Sequence, residues 1–249
     1  MPLSVPAYGI TLASTPRRHA QGIEHARVLG WRVEWLVRER DPRGGIYGCW
    51  ESHVAAWTLA RERGESVVMV LEDDFLVLDD LCTSAREIEK VVRDALVAFE
   101  THQCLELVQL TKSSAIVDEH PVALGPRIYK NGLTIYLTGY LIHTARVLGR
   151  CAHELVATGQ HIDAAIFSQG KFPLALSYAI VSPPLPLFSR DESTNNTYNA
   201  SIESIFKLIG YRNAHGFPQH FHSLTHAMPP AMKRAVGALI REFMESTSK

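Results

Sequence analysis

Glu72, Asp73 and Asp74 are three carboxylates in a row, and they follow directly on the apolar run Val67-Val68-Met69-Val70-Leu71. Acids at that density are costly to hold together unless something positive joins them. Oxygen donors suit a hard dication, Mg²⁺ or Mn²⁺, better than Zn²⁺. The run before them is mostly β-branched and does not alternate, which is how a strand covered on both faces reads. In an open α/β sheet, ligands sit just beyond the carboxyl ends of the strands. Alternation along the strand sends Glu72 and Asp74 to one side and Asp73 to the other. The alternative is an acidic first turn, with Asp73 or Asp74 capping a following helix and favoured by its dipole.

A second charged group lies near the start of the chain. Val5 to Leu12 reads as a strand, and Ser14-Thr15-Pro16 supplies a cap residue and a first-turn proline for a helix running to about Leu29. Arg17, Arg18 and His19 fall in that first turn, where cations oppose the dipole. Two readings stand: a local purpose such as a phosphate contact, or solvated basic residues. Trp31 to Val37 is a further strand, and Arg38 to Gly45 a charged loop. Gly48 to Arg63 is helical, with His53, Trp57 and Ala60 on one face and Gly64 closing it. His53 on that face is either a satisfied buried histidine or a group that reaches a ligand.

Beyond the acids, Leu81, Ala85, Ile88, Val92, Ala95, Leu96 and Phe99 trace a third helical cover. Cys104 to Leu110 is a strand, and Thr111 to Pro126 a polar connection without periodicity. Asn131-Gly132, between Arg127–Lys130 and Leu133–Leu137, signals a hairpin. Leu141 to Ala157 is apolar at helical spacing, Ile162 to Gln169 a short helix, and Leu174 to Val181 a strand. Ser182-Pro183-Pro184-Leu185-Pro186 cannot be regular, and Ser189 to Asn199 is a polar loop. Ile202 to Ile209 and Ala231 to Met244 are helices, with His215, His220, His222 and His226 between them at no recognised ligand spacing. The expected architecture is α/β, a Rossmann-type, mostly parallel sheet flanked by helices. Residues 1–200 form that domain, and residues 201–249 a helical extension packed on it.

Composition bounds the function. Among 249 residues, 46% are hydrophobic and 20% charged, an ordinary globular balance. With 25 basic and 26 acidic residues the formal charge is −1, so no global basic field supports nucleic acid binding, and any anionic ligand must be held locally. The cysteines, Cys49, Cys82, Cys104 and Cys151, are scattered with no Cys-x-x-Cys pair, so they read as reduced core thiols. No apolar segment approaches the roughly 20 residues that span a bilayer, and Met1 to Ile10 lacks a signal-peptide pattern. The expected location is the cytoplasm.

Gly48-Cys49-Trp50-Glu51-Ser52-His53, then Trp57, then Leu71-Glu72-Asp73-Asp74 together resemble glycosyltransferase family 25, the lipooligosaccharide and collagen galactosyltransferase group. That family pairs a Gly-Cys-x-x-Ser-His helix start with a Leu-Glu-Asp-Asp strand end. Ile10-Thr11-Leu12 with Arg18 is similar to its opening strand and downstream arginine, Gly139-Tyr140-Leu141-Ile142 to its Ala/Gly-Tyr-Leu-Ile stretch, and Ile162-Asp163 to its later aspartate. The likeness covers about Tyr8 to Ser193. Thr11 stands where the family usually has Asn, and Ala13-Ser14 replace its usual polar or basic residues. The resemblance implies a GT-A fold, a nucleotide-sugar donor, a divalent metal at the acidic motif, and transfer with inversion. Galactose or glucose on uridine diphosphate is the donor guess at family level, and a glycan or other hydroxyl compound the acceptor.

The chemistry assigns roles within that frame. A diphosphate leaving group needs its developing charge neutralised, and Mn²⁺ or Mg²⁺ on Asp74, with Glu72 or Asp73 assisting, meets the need. Thr11, Arg18, Ser52, His53, Glu72, Asp73, Gly139 and Tyr140 are the expected donor contacts, with Arg18 on a phosphate oxygen. Inversion needs a base on the face away from the leaving group, outside the metal cluster. Asp163 is the candidate, with Asp73 the second catalytic carboxylate. Among the other later acids, Asp118, Glu119, Glu154, Asp191 and Glu192 fall in loops or on a helix surface. The alternatives are a metal-dependent phosphohydrolase or nucleotidyltransferase, which also uses paired strand-end carboxylates, and a non-catalytic sugar-nucleotide binding module.

Overall fold

The computed structural model describes residues 3–77, 85–110, 116–126, 128–133, 137–149, 162, 166, 178–181 and 187–189. Strand β1 (Ala7–Leu12), helix α1 (Pro16–Leu29), β2 (Val33–Arg38), α2 (Gly45–Glu62) and β3 (Val67–Glu72) follow the expected order. After them come β4 (Phe75–Val77), α3 (Ala85–Thr101), β5 (Leu107–Gln109), β6 (Ile116–Ala123) and β7 (Ile128–Leu133). The described elements end with β8 (Gly139–His143), α4 (Thr144–Leu148), β9 (Tyr178–Val181) and β10 (Leu187–Ser189).

Eight strands form one sheet in the order β2-β1-β3-β8-β5-β9-β7-β6, while β10 pairs with β4 in a separate ribbon. Strands β2, β1, β3, β5, β9 and β6 run in one direction, and β8 and β7 oppose them. The sheet is therefore the α/β, mostly co-directional sheet that the strand–helix alternation implies, with a reversed strand, β8, set between β3 and β5.

Register decides what each face carries. Met69 and Leu71 pack with Ala26 and Leu29 of α1 and with Ile88, Val92, Ala95 and Phe99 of α3, so α1 and α3 cover one face. Val70 is paired with Tyr140, and the Tyr140 hydroxyl bonds Trp57 of α2. Paired residues project to the same side, so Val68, Val70 and Glu72 face α2. Trp50, Val54, Ala56, Trp57 and Ala60 of α2 are buried on that face at 4% exposure or less, the dry packing an apolar helix stripe needs.

Two glycines bring α1 onto the sheet. A Cβ added at Gly9 of β1 or at Gly22 of α1 would lie 2.4 or 2.5 Å from the Trp35 indole, so only glycine admits that ring between strand and helix. Gly22 also lies beside the Asp73 carbonyl, at 3.3 Å from the same built Cβ. Helix α1 ends on Gly30, whose φ of 71° is the left-handed cap geometry.

The structure corrects several expectations. No helix follows the acids directly: Asp73 and Asp74 form a turn into β4, so neither caps a helix. Helix α2 starts at Gly45 rather than Gly48, which moves Ser52 and His53 away from its N-terminus. Asn131-Gly132 lies inside β7, with Gly132 paired to Val117, and the β6–β7 turn instead closes through Leu124 N–H donating to the Ile128 carbonyl at 2.7 Å. Strand β6, which carries Asp118 and Glu119, occupies the stretch expected to be irregular. It is an edge strand, where polar residues and a proline are tolerated. Leu141 to His143 are strand rather than helix, because β8 is buried between two neighbours and its apolar run has no face to alternate. Helices expected at Ile202–Ile209 and Ala231–Met244, the four histidines between them and the whole of residues 201–249 lie outside the described residues.

Candidate active site at the carboxyl ends of β1 and β3

Strands β1 and β3 are parallel neighbours, with Ile10 opposite Glu72, so their carboxyl ends open at the same edge of the sheet. Ala7, Gly9 and Thr11 share the α1 face. Asp73, one residue past Glu72, emerges on that face too and meets Thr11. Thr11 Oγ1 donates to Asp73 Oδ2 at 2.7 Å, and Thr15 Oγ1 reaches the same oxygen at 3.2 Å. Thr15 stands at the N-cap position of α1, yet its hydroxyl makes no cap bond. It turns to Leu12 and Asp73 instead.

Arg18, in the first turn of α1, completes the cluster. Its Nη2 lies 2.6 Å from Asp73 Oδ1 and 3.1 Å from Asp74 Oδ2. Both carboxylates are buried, at 6% and 8% exposure, which makes the guanidinium their main charge compensation. Burial disfavours the Arg18 charge, but Asp74, Asp73 and Glu72 outweigh it and hold the group above its ordinary value. Arg18 Nε is buried and has no hydrogen-bond partner among the described residues. The cation against the dipole is thus answered within the protein, by acids from another element.

Glu72 turns the other way. The alternation expected for the triplet holds from Glu72 to Asp73 and stops there, because the chain leaves the strand and Asp74 joins Asp73 on Arg18. Glu72 Oε1 lies 3.3 Å from His53 Nε2. His53 Nδ1 is 2.7 Å from the Tyr140 hydroxyl, and Trp57 Nε1–H donates to that same oxygen at 2.8 Å. Two tautomers fit. With Tyr140 O–H donating to Nδ1, His53 Nε2–H donates to Glu72. With Nδ1–H donating to Tyr140, Nε2 presents a lone pair toward Glu72.

The remaining expected contacts take distinct places. Ser52 is buried and donates its hydroxyl back to the Gly48 carbonyl at 2.6 Å, within its own helix. Gly139 is buried in β8 opposite Leu71, and Tyr140 is fully buried with its hydroxyl on Trp57 and His53. Asp163 lies outside the described residues, between Ile162 and Ile166, which are helical and buried. Sequence reasoning passed over two participants. Thr15 was legible as a hydroxyl at a strand-to-helix turn. Cys49 was legible as the residue four before His53 on one helix, and its thiol groups with His53 and Glu72, ligand atoms within 4.8 Å of one another.

No helix among the described residues is long and apolar enough to cross a membrane. No protein-family profile matches the chain, and no curated protein matches it. Among solved structures, it is similar to a glycosyltransferase involved in the glycosylation of the major capsid of PBCV-1. That match has 10% identity and a TM-score of 0.41, over 80% of this chain and 100% of the other.

Proposed function

We propose that the protein is an inverting glycosyltransferase that moves a hexose, galactose or glucose, from a nucleotide-sugar donor such as a uridine diphosphate sugar to a hydroxyl group of a glycan or other acceptor. The observation that carries this reading is the threonine–arginine–aspartate cluster at the carboxyl ends of β1 and β3, where an open α/β sheet binds its ligands. The resemblance of its motifs to glycosyltransferase family 25 agrees with it.

In this reading Arg18 holds the donor's diphosphate. The exposed part of its guanidinium, 24% of the side chain, gives a phosphate oxygen a charge-assisted bond while Nη2 stays on the aspartates. Asp73 has both oxygens committed to Thr11, Thr15 and Arg18, so it fixes the loop and orients the arginine. Asp74 would hold Mn²⁺ or Mg²⁺ from the α1 side, whereas Glu72, expected to share the ion, turns to His53 on the α2 side. When bound, that ion supplies neutralisation of the charge developing on the departing diphosphate. His53 holds Glu72 in place from the α2 side. The acceptor hydroxyl's proton goes to Asp163 as it attacks the anomeric carbon from the face opposite the diphosphate.

The test is to incubate the full chain with Mn²⁺ and a panel of nucleotide sugars, with and without acceptor sugars. Slow donor hydrolysis that becomes transfer when acceptor is added is the expected result. Release of inorganic phosphate would identify a phosphohydrolase, and binding without turnover a binding module. Asp74→Asn should abolish Mn²⁺-dependent donor binding with the fold intact, read by calorimetry; equal donor affinity with and without metal in the parent protein rejects the metal. Asp163→Asn should cut turnover by about 10² to 10⁴ at near-normal donor affinity. Normal turnover in that variant rejects it as the base.

A further inference from the structure

We propose that Cys49, His53 and Glu72 form a binding site for a borderline-soft dication of the Zn²⁺ class, with one coordination position open. The inference is independent of glycosyl transfer, because Asp74, the residue assigned above to Mn²⁺ or Mg²⁺, lies with Arg18 on the other face.

Cys49 and His53 are four residues apart on α2, so both project from the same face of the helix toward the end of β3. One ligand atom from each of Cys49, His53 and Glu72 lies within 4.8 Å of the other two. The His53 Nε2 to Glu72 Oε1 distance of 3.3 Å is long for a charge-assisted hydrogen bond. It equals the edge of a tetrahedron whose bonds are about 2.0 to 2.1 Å, the length of zinc–nitrogen and zinc–oxygen bonds. A sulfur-to-nitrogen edge in the same geometry is about 3.5 Å, so the sulfur edges, none longer than 4.8 Å, would shorten toward that length when an ion binds.

The histidine is prepared for the role. A metal-bound imidazole donates its other N–H to a fixed partner, which sets the tautomer and aims the ring. Here the Tyr140 oxygen stands 2.7 Å from Nδ1, and it is anchored in turn by Trp57 Nε1–H at 2.8 Å. Tyr140 and Trp57 are both at 0% exposure, so neither moves cheaply. In the tautomer with Nδ1–H on Tyr140, the one a metal-bound imidazole would take, the Nε2 lone pair points toward Glu72. A thiolate and an imidazole in the set select a borderline-soft ion over Mg²⁺ or Mn²⁺. Three protein ligands and one open position are the arrangement of zinc sites that hold a water or a substrate oxygen.

The probe is Co²⁺, added to the full chain after chelator treatment. One equivalent should produce the near-ultraviolet charge-transfer band of a cobalt thiolate, and Zn²⁺ should erase it. Cys49→Ser should remove the band and weaken Co²⁺ binding by more than about tenfold. Tyr140→Phe should keep the band but weaken binding by about 10- to 100-fold, since only the partner of the ligating histidine is lost. Zn²⁺ should also protect Cys49 from alkylation while exposed Cys104 still reacts. A cobalt complex without the band, or a band that survives in Cys49→Ser, overturns the site. If Cys49→Ser does not fold, the affinity of Tyr140→Phe and the alkylation of the parent protein decide it. Loss of Mn²⁺ binding in Asp74→Asn with the cobalt band intact concerns the glycosyl-transfer reading alone.

Discussion

Glu72 and Asp73 are adjacent in the chain, yet they belong to the two opposite faces of the sheet and to two kinds of site. On the α1 face, Asp73 and Asp74 are buried against one guanidinium and two hydroxyls, a set held by charge. On the α2 face, Glu72 keeps 27% side-chain exposure and meets an imidazole fixed by a tyrosine and a tryptophan, a set held by hydrogen bonds and aromatic packing. Strand alternation separates neighbouring acids, and the cover helix on each side then decides what each acid meets.

The largest expected effect breaks the charged side. Asp73→Ala leaves Arg18 with Asp74 as its ion-pair partner among the described residues and strips Thr11 and Thr15 of an acceptor. Removing one member of a buried ion pair costs about 3 to 5 kcal/mol, and the partly exposed arginine puts this site at the lower end. Glu72→Gln keeps the shape and should cost about 1 kcal/mol or less. Urea unfolding of both variants tests the contrast, and equal losses would show that the two faces do not differ as described.

A middle-sized effect sharpens the neutral side. Tyr140→Phe leaves the buried Trp57 N–H without its acceptor, a loss of about 1 to 3 kcal/mol. Adding Trp57→Phe on top should cost less than the two single losses combined, because the same hydrogen bond is removed by either change. Additive losses in denaturant titrations would mean that the tyrosine and tryptophan act separately.

The smallest effect comes from the amino-terminal end of the same strands, where Tyr8 donates to Glu65 at 2.6 Å and accepts from Arg63 at 3.1 Å. Burial, and then the Glu65 carboxylate, push the Tyr8 phenol up to about 12 from its ordinary 10. The folded state therefore holds this proton more tightly than the unfolded one. Its contribution is present in full below pH 10 and is lost as pH rises from 10 toward 12. Tyr8→Phe should flatten the stability profile in that window and leave the behaviour of the strand ends unchanged. A profile identical to the parent's would remove Tyr8 from the account.

Local signals in the chain determined much of the frame. An unbroken, mostly β-branched apolar run read as a strand buried on both faces, and Pro16 and Gly30 bracketed α1. Periodicity failed where burial was two-sided or where an edge relieved it. Leu141 to His143 reads the same as helix or as central strand, because residues covered all round leave no polar face to count. Asn131-Gly132 carries the sequence of a turn, but a continuous partner in β6 kept it extended. The site shows the same division. That Glu72, Asp73 and Asp74 lie at a strand end was legible, since it depends on neighbours in sequence. That Arg18 takes both aspartates, and that Tyr140 holds His53 beside Glu72 and Cys49, depends on segments 19 to 87 residues apart meeting across the sheet. Only the register of β1, β3 and β8 brings those segments together, and a one-residue slip in any of them would turn the paired side chains to the opposite face.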